Sequence, residues 1–208
     1  ETPNIHFVYF DTGKYPVILG LSTLGIPDSK SAGDHPGPGS GYIAYCEGGR
    51  LEGQRGGAKA FDADGKLMKE FKGNSGQGEH QRGFIDAVIS RDASYLNGEV
   101  AIGEATSEWC NLANIAFKCG ETMTAGKAAE IAKAAEGAED IWSEVLESAQ
   151  KTLQANGIPM VADDSQIVVS GMLTLDTEKG EFVGENAEKA NGFMRRVYRK
   201  GFEVPEIK

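Results

Sequence analysis

The sequence AKAFDADGKLMKEF at residues 58–71 decides the fold class, because it places two short strand-like runs on either side of a turn. Asp62-Ala63-Asp64-Gly65 is that turn, since Asp and Gly suit tight hairpin turns. The same residues resemble the start of an EF-hand calcium loop. Lys66, however, stands where that loop needs an oxygen ligand, and strands rather than helices flank the turn. We therefore predict an antiparallel hairpin here and no calcium site.

Further strands are predicted on the N-terminal side of this hairpin. Ile5–Phe10 alternates and is rich in aromatic residues, and Tyr15–Leu24 is a second apolar run, so the two predict a first hairpin. Residues 25–41 contain several prolines and predict a loop, Tyr42–Cys46 predicts a strand, and the glycine-rich residues 48–53 predict a turn. The first third of the chain is therefore expected to form an antiparallel meander of about five or six strands.

Helices are predicted on the C-terminal side of the hairpin. Apolar residues recur at helical spacing in three segments, His80–Ser90, Glu99–Lys118 and Lys127–Gln154. Gly126 and Gly137 are expected to divide the last of these into two helices. Gln166–Leu175 predicts a late strand, Asn186–Arg195 a short helix, and the remainder of the chain an extended tail. Strands followed by helices and a late strand predict the α+β class with an antiparallel sheet, rather than alternating β-α-β units.

Composition narrows the classes of function. The chain has 208 residues, of which 40% are hydrophobic and 25% are charged, and its formal net charge is −10. Nucleic acids and anionic membranes select basic surfaces, so neither is an expected partner. No apolar run approaches the roughly 20 residues that span a bilayer. The chain begins at Glu1 without a visible leader, so we expect a processed, cleaved or engineered start and leave the compartment open between cytoplasmic and exported.

The three cysteines are predicted to be buried free thiols. Cys46, Cys110 and Cys119 are odd in number and include no C-x-x-C pair. Cys110 and Cys119 fall in one predicted helix, about 13 Å apart along its axis, which excludes a disulfide between them. The sequence offers no further ligands that would complete a zinc site.

No motif in the sequence specifies a catalytic or metal site. There is no G-x-S-x-G nucleophile turn, no P-loop and no G-x-G-x-x-G nucleotide turn. The trio Glu79, His80 and Asp86 lacks metal-ligand spacing. We therefore predict no catalytic residue, no cofactor-binding residue and no metal ligand in this chain.

Three polar residues are candidates for substrate contacts, namely His80, Asn114 and Arg195. Each lies near a predicted helix end or within an otherwise apolar helical run, where polar side chains often line clefts. Alternatives remain open for two of them. His80 is equally placed to cap a helix, and Arg195 to belong to a solvated basic face that pairs with Glu185 and Glu188.

A set of short motifs runs through most of the chain. They are residues 61–66 with Phe71, residues 80–91 ending in Ser-Arg, residues 103–120, residues 173–176, Phe182-Val183-Gly184, Ala190-Asn191 and residues 198–206. Together these segments resemble the C-terminal domain of bacterial glucose–fructose oxidoreductase/inositol dehydrogenase (Gfo/Idh/MocA) family proteins. The sequence departs from the family pattern at Glu104 and Asn111, where the family often has His, and at Gly201, where it often has Pro.

The resemblance implies an open-faced, mainly antiparallel β-sheet with helices packed on one face, like the C-terminal domain of dihydrodipicolinate reductase. It implies a single domain over residues 1–208, with a helical insertion at about 121–165. In the family this sheet helps to shape the substrate pocket and packs subunits together. The implied partners are therefore a sugar-like small molecule, a second copy through the sheet face, and an N-terminal dinucleotide-binding domain that this chain lacks.

NAD(P) is the cofactor that the resemblance implies for the full-length protein, with none bound by this chain alone. The family's catalytic lysine lies in a Glu-Lys-Pro segment, and Glu178-Lys179-Gly180 does not match it. No histidine here follows an Asp by four residues, so the family's Asp-x-x-x-His pair is also unmatched.

Two functions are therefore expected from the sequence. The first is the substrate-binding and oligomerisation domain of an NAD(P)-dependent oxidoreductase acting on a sugar or polyol, not catalytic alone. The alternative is a stand-alone carbohydrate-binding or structural module derived from that domain, which Glu104 and Asn111 in place of His favour. A hydrolase that uses Asp62, Asp64 or Asp86 has no positive signal beyond acidity.

Overall fold

The structure, a computed structural model, describes residues 2–27, 37–73, 76, 78–131, 135–158, 160 and 164–205. The chain divides into two compact units. Unit 1 comprises Glu1–Glu104 and Ala134–Met160, and unit 2 comprises Ala105–Lys133 and Val161–Lys208. The single domain over residues 1–208, with its helical insertion, stays a prediction.

Unit 1 begins with the predicted first hairpin. Strands β1 (Ile5–Asp11) and β2 (Pro16–Ser22) pair antiparallel, with Ile5 opposite Ser22 and Asp11 opposite Pro16. The Asp11 carboxylate accepts a hydrogen bond from the Gly13 amide at 2.8 Å. Gly13 has a φ of 71°, a conformation that glycine adopts without steric cost, so this turn sets the register of the hairpin.

A four-stranded antiparallel meander follows in unit 1. Its strands, in spatial and chain order, are β3 (Gly41–Cys46), β4 (Gly49–Gln54), β5 (Gly57–Asp62) and β6 (Leu67–Lys72). With the first hairpin this gives the six strands that were predicted, but they form two separate sheets, so the meander has four strands rather than five or six. The Asp62–Gly65 turn is confirmed as well, because the Asp62 carboxylate accepts hydrogen bonds from the amides of Asp64 and Lys66, at 3.1 and 2.8 Å.

The prediction of a turn at residues 48–53 is wrong, because β4 occupies most of this segment. Only Glu47 and Gly48 form the turn between β3 and β4. The glycines are explained by their neighbours. The ring of Tyr42 on β3 lies over Gly53, so a Cβ at that position would meet the ring. Gly49 has a φ of 142°, which excludes most other residues there.

The predicted helices of unit 1 are also present. Helix α1 covers Glu79–Ser90, a short 3-10 helix follows at Ala93–Tyr95, and α2 begins at Val100. The apolar face of α1, formed by Phe84, Ile85 and Val88, is exposed. Among the described residues, no helix combines the length and the apolar character needed to cross a bilayer.

The alanine-rich segment forms two helices, as predicted, but only Gly137 divides them, since Gly126 lies inside the first helix. Helix α3 covers Ala125–Ile131 and α4 covers Glu139–Ala155, and Gly137, with a φ of 76°, lies between them. Within unit 1, α4 is tied to the rest of the fold by polar contacts. The Asn156 side chain donates to the carbonyl of Gly25 at 2.9 Å, and the Tyr9 hydroxyl donates to the carbonyl of Glu136 at 2.9 Å.

Unit 2 contains two small antiparallel sheets. Strand β7 (Glu121–Thr124) pairs with β8 (Gln166–Val169), and β9 (Thr174–Asp176) pairs with β10 (Glu181–Val183). The single strand predicted at 166–175 is therefore two strands, separated at residues 170–173 and belonging to different sheets. Strands β7 and β10 were not predicted from the sequence, because each is too short to show an alternating pattern.

The core of unit 2 brings the C-terminal motifs together. Helix α2 (Val100–Cys119) contributes Ile115 and Cys119, which pack with Phe182 of β10 and Ala190 of helix α5 (Ala187–Asn191). The helix predicted at 186–195 is thus shorter than expected, and residues 192–194 form a turn. Partly buried residues surround this cluster, namely Leu112, Leu173, Leu175, Ala187 and Met194.

The α+β class with antiparallel sheets is confirmed, since every pair of neighbouring strands in the described chain is antiparallel. The described strands form four separate sheets, one of four strands and three of two strands. The one open-faced sheet that the resemblance implies is not hydrogen-bonded as a single sheet among them, and that finer assignment stays a prediction.

The cysteines are free thiols, as predicted, but only Cys119 is buried. Cys46 and Cys110 are exposed, so the prediction of burial is wrong for both. Cys46 ends an edge strand of the meander, and Cys110 lies on the exposed part of α2. Residues 28–36 of the predicted proline loop, which include His35, lie outside the described residues, as do residues 206–208 of the tail.

Candidate functional site

The three residues predicted to contact substrate do not form one cluster within either unit. His80 is the second residue of α1 in unit 1, whereas Asn114 on α2 and Arg195 after α5 belong to unit 2. All three are exposed, and in the described part of the chain no hydrogen bond or ion pair joins any two of them. Their contact with substrate stays a prediction.

The surroundings of His80 and Arg195 do not show the helix cap or the ion pairs of their alternative roles, although Arg195 is solvent-exposed as its alternative expects. The N-terminus of α1 is capped by Gln81, whose side-chain oxygen accepts from the Gly78 amide at 3.1 Å, so His80 is not the capping residue. Within the described residues, Arg195 forms no ion pair with Glu185 or Glu188.

A different set of side chains converges on the meander of unit 1. Arg50 and Glu52 lie two residues apart on β4 and so point to the same face of the sheet. The register places Arg50 between Tyr45 on β3 and Phe61 on β5. Cross-strand neighbours of this kind stand on one face, so these four side chains form a single group, which we call the Arg50 cluster.

The geometry of the cluster fixes the guanidinium group. Arg50 Nε lies 2.7 Å from Glu52 Oε1, the length of a strong charge-assisted hydrogen bond. The same guanidinium lies 4.6 Å from the centroid of the Phe61 ring, within the range of a cation–π contact. One contact fixes an edge of the group and the other fixes its plane, so the orientation of Arg50 is set before any ligand binds.

Two sets of polar atoms in the cluster remain available. In the part of the chain that the structure describes, the terminal nitrogens of Arg50 and the second carboxylate oxygen of Glu52 make no hydrogen bond to protein atoms. The two side chains are 34% and 21% exposed, so a ligand can reach them. The pair therefore presents donors and an acceptor side by side next to an aromatic ring.

Tyr45 contributes a neutral hydroxyl to the cluster. Burial raises the pKa of Tyr45, and the Glu144 carboxylate on α4 raises this pKa further, while the Arg50 charge opposes the increase. The hydroxyl therefore stays protonated at neutral pH and can both donate and accept a hydrogen bond. The Tyr45 side chain is half-exposed, so this hydroxyl lies at the rim of the cluster.

The arrangement suits a neutral polyhydroxylated ligand. The charges of Arg50 and Glu52 cancel within one hydrogen-bonded pair, so the cluster does not favour a charged ligand by net attraction. A donor array beside an acceptor matches adjacent hydroxyl groups, each of which donates and accepts one bond. The exposed ring of Tyr45 adds an apolar surface for the C–H face of such a molecule.

Comparison with models of protein families, with curated proteins and with solved structures finds no match to this chain. The family resemblance of the motifs therefore stands on the residues quoted above. What the chain can bind is accordingly argued from its own side chains.

Unit 2 has an open cleft that we do not select as the site. The cleft has a volume of about 680 Å3 and is lined by Gly184, Asn186, Ala187, Glu188, Lys189 and Gly192. Its lysine already donates to the Cys119 carbonyl at 3.0 Å. In the described residues the cleft contains neither an aromatic ring nor an oriented ion pair, so it lacks the converging groups of the Arg50 cluster.

The described residues contain neither a clustered set of metal ligands nor a parallel β-α-β unit. They contain no group of three or more His, Cys, Asp or Glu side chains arranged to hold a metal. All of their paired strands are antiparallel, whereas a dinucleotide site of the Rossmann type is built on parallel β-α-β units.

Sequence reasoning missed the Arg50 cluster because it assigned residues 48–53 to a turn. A usable signal was present, since Arg50-Leu51-Glu52 alternates polar and apolar residues as a half-buried strand does. Pairing that strand with Tyr42–Cys46 through a two-residue turn would have placed Arg50 opposite Tyr45.

Proposed function

We propose that this chain is the substrate-binding and oligomerisation domain of an NAD(P)-dependent oxidoreductase that acts on a sugar or polyol, and that it is not catalytic alone. The observation that carries the proposal is the Arg50–Glu52 pair, with its 2.7 Å hydrogen bond and its place between two aromatic rings. The resemblance of the chain's motifs to the Gfo/Idh/MocA family supports the same class of substrate.

The two faces of the meander support two separate roles, ligand binding on one face and subunit contact on the other. The Arg50 cluster lies on one face. On the opposite face, the register aligns Tyr42, Gly53, Ala58 and Phe71 in one row across the four strands. Tyr42 and Phe71 are 57% and 43% exposed. An exposed aromatic row beside small residues is typical of a surface that packs against another protein.

We assign the subunit contact to this apolar face, and with it the role of an open-faced sheet. The proposed assembly is a homo-oligomer in which the Tyr42–Phe71 row of one copy is covered by a second copy. The dinucleotide-binding domain and its NAD(P) belong, in this proposal, to residues outside the chain, and the lack of a parallel β-α-β unit among its described residues supports this. When bound, NAD(P) supplies hydride transfer, and this chain holds and orients the polyol.

Calorimetric titration of the chain with neutral polyols, sorbitol and myo-inositol, tests the binding role. We expect saturable binding that Glu52→Gln weakens about tenfold or more, because a hydrogen bond to a charged group contributes about 1.5–3 kcal/mol. Arg50→Lys should weaken binding similarly, since lysine keeps the charge but loses the planar fork.

The matched control is Glu70→Gln. Glu70 lies in the same cross-strand row as Glu52, through Lys59, and makes no ion pair within the described residues. Equal loss of affinity in both variants would show a general charge effect rather than a site. Absence of polyol binding by the unaltered, folded chain would refute the binding role.

The stand-alone carbohydrate-binding module is the second candidate, because Tyr45, Arg50, Glu52 and Phe61 all come from unit 1 and need no other part of a protein to be assembled. The two candidates differ in redox activity. Addition of NAD(P)+ and the bound polyol to the protein encoded by the whole gene should produce NAD(P)H if the oxidoreductase proposal holds. Polyol binding without reduction of the cofactor would favour the module.

A further inference from the structure

The C-terminal arm, which we define as residues 195–205, exposes an unusual amount of apolar surface. In the described residues it belongs to no helix or strand. Val197, Phe202 and Val204 are 101%, 65% and 62% exposed, and Tyr198 is half-exposed. Isolated exposed apolar residues are ordinary, but four within one short segment indicate a surface that another protein covers.

The arm also has a defined local structure that holds the Arg199 charge beside an exposed aromatic ring. The Phe202 amide donates to the Arg199 carbonyl at 2.9 Å, which closes one turn. The Arg199 guanidinium lies 3.9 Å from the centroid of the Phe202 ring, a cation–π contact that keeps the cation beside the apolar surface. Basic and apolar groups therefore occur together along the arm.

The charge of the arm is opposite to that of the rest of the chain. The arm contains four cations, Arg195, Arg196, Arg199 and Lys200, and one anion, Glu203, so its net charge is +3. The whole chain has a net charge of −10, which leaves −13 for all other residues. A second copy of this chain therefore offers the arm an oppositely charged partner.

Helix α4 carries the matching surface. Asp140, Glu144 and Glu147 are exposed and spaced by four and three residues, so they lie on one face of the helix. Like charges at this spacing destabilise a helix, and no ion pair joins these carboxylates to a cation in the part of the chain described. Leu146 is also exposed, but it lies about 100° around the helix from Glu147 and outside this acidic face. Lys151 lies on the same face, four residues after Glu147, so the acidic part of this face ends at Glu147.

The spacing of the charges agrees as well. Arg196 and Lys200 are four residues apart, so their Cα atoms lie at most about 13 Å apart, and closer than that because Lys200 lies within the turn that begins at Arg199. Asp140 and Glu147 are seven residues apart on a helix, which corresponds to about 10 Å. Two cations of the arm can therefore face two carboxylates of α4 at the same time.

We propose that the C-terminal arm of one copy docks on helix α4 of a second copy, with Arg196 and Lys200 against Asp140 and Glu147. A twofold pair of such contacts gives a closed dimer. This contact goes beyond the proposed function and is separate from the apolar face of the meander.

Sedimentation equilibrium of the full 208-residue chain tests the proposal by charge reversal. Arg196→Glu/Lys200→Glu and, separately, Asp140→Lys/Glu147→Lys are each expected to raise the dimer dissociation constant about tenfold or more. The two changes combined should bring it back to within about threefold of the unaltered chain, since opposite charges again face each other. Raising the salt from about 50 mM to about 500 mM should weaken the unaltered dimer.

The control is Lys14→Glu/Lys66→Glu, at exposed positions in the connections of the two N-terminal hairpins, which changes the net charge by the same amount as the arm variant but lies outside the arm and outside both faces of the meander. A chain that stays monomeric at about 100 µM, an arm variant that associates like the unaltered chain, or a combined variant that stays dissociated would each overturn the proposal. Far-ultraviolet circular dichroism of each variant checks that α4 is folded. Tyr42→Ser/Phe71→Ser disrupts only the proposed contact through the meander, so the failures of the two contacts are distinguishable.

Discussion

The side chain of Asn191 forms two hydrogen bonds with the backbone of Phe182. Its carbonyl oxygen accepts from the Phe182 amide at 2.8 Å, and its amide nitrogen donates to the Phe182 carbonyl at 2.9 Å. Asn191 thus takes the place of a strand neighbour for β10 and fastens α5 to that strand. Phe182 is buried in the core of unit 2 and both hydrogen bonds are partly buried, so water is a poor substitute partner for these backbone groups.

Asn191→Ala is expected to lower the free energy of unfolding by about 2–3 kcal/mol, because it leaves a buried backbone donor and acceptor unpaired. Chemical denaturation followed by fluorescence measures the change. Asn114→Ala is the control. Asn114 is exposed on α2, where alanine has the higher helix propensity, so this variant should be neutral or slightly stabilised. Equal destabilisation in both variants would contradict the role given to Asn191.

Lys189→Met should destabilise unit 2 by about 1 kcal/mol. The Lys189 ammonium donates to the Cys119 carbonyl at 3.0 Å, at the C-terminal end of α2. A positive charge there interacts favourably with the negative end of the helix dipole. Thermal unfolding at low and high salt measures the loss, which should shrink as salt screens the charge. Lys127→Met, at an exposed position on α3, provides the comparison and should change the melting temperature little.

Two glycines on or next to α2 should respond to alanine with opposite signs. Gly103 lies inside the helix with open space around a new Cβ, so Gly103→Ala should stabilise the protein by about 0.5–1 kcal/mol. At Gly120 a new Cβ would lie 2.7 Å from Val168 Cγ1 and 3.1 Å from the Phe117 carbonyl oxygen. Gly120→Ala should therefore destabilise the protein. Denaturant titration of both variants would contradict this account if the signs were equal.

The pH dependence of Tyr45 follows from its neighbours. Burial and the Glu144 carboxylate raise its pKa, so Glu144→Gln should lower this pKa, and Arg50→Met should raise it by removing an opposing positive charge. The stability that Tyr45 contributes is fully present below its unfolded pKa of about 10 and is lost as the pH rises through the folded pKa. Ultraviolet titration of tyrosinate, with Tyr45→Phe subtracted, measures the shifts. Identical curves for the three proteins would contradict the placement of Glu144.

The sequence predicted the elements whose signal is local. Gly137 marked the division between α3 and α4, and the Asp62–Gly65 turn marked the β5–β6 hairpin. The sequence-based prediction failed where contacts with residues distant in the chain determine the local structure. Considered locally, Gly49 and Gly53 predict a turn. In the structure both belong to β4, where the Tyr42 ring on β3 lies over Gly53. The Arg50 cluster was missed for the same reason, because its members meet only through cross-strand pairing.

The local sequence also does not predict whether an apolar helix face packs against another part of the same chain. Phe84, Ile85 and Val88 have the spacing of a core-facing stripe, yet all three are exposed in α1. The burial of Cys46 and Cys110 was wrongly predicted for the same reason, since the burial of a thiol depends on which residues pack over it. Asn191 is the opposite case, because its motif was visible in the sequence and only the structure shows that it holds β10.

The most direct test of the central claim is a nuclear magnetic resonance titration of the chain with sorbitol, followed through the nitrogen–proton correlations of arginine Nε and the backbone. The account predicts a saturable shift of the Arg50 Nε–H signal together with the amides of Tyr45 and Phe61, and none at the Asn191 side-chain amide, which the Phe182 backbone holds in unit 2. Saturable shifts confined to Gly184, Lys189 and Gly192 would move the site to the cleft of unit 2. Together with an unmoved Arg50 signal, they would contradict the binding role of the Arg50 cluster.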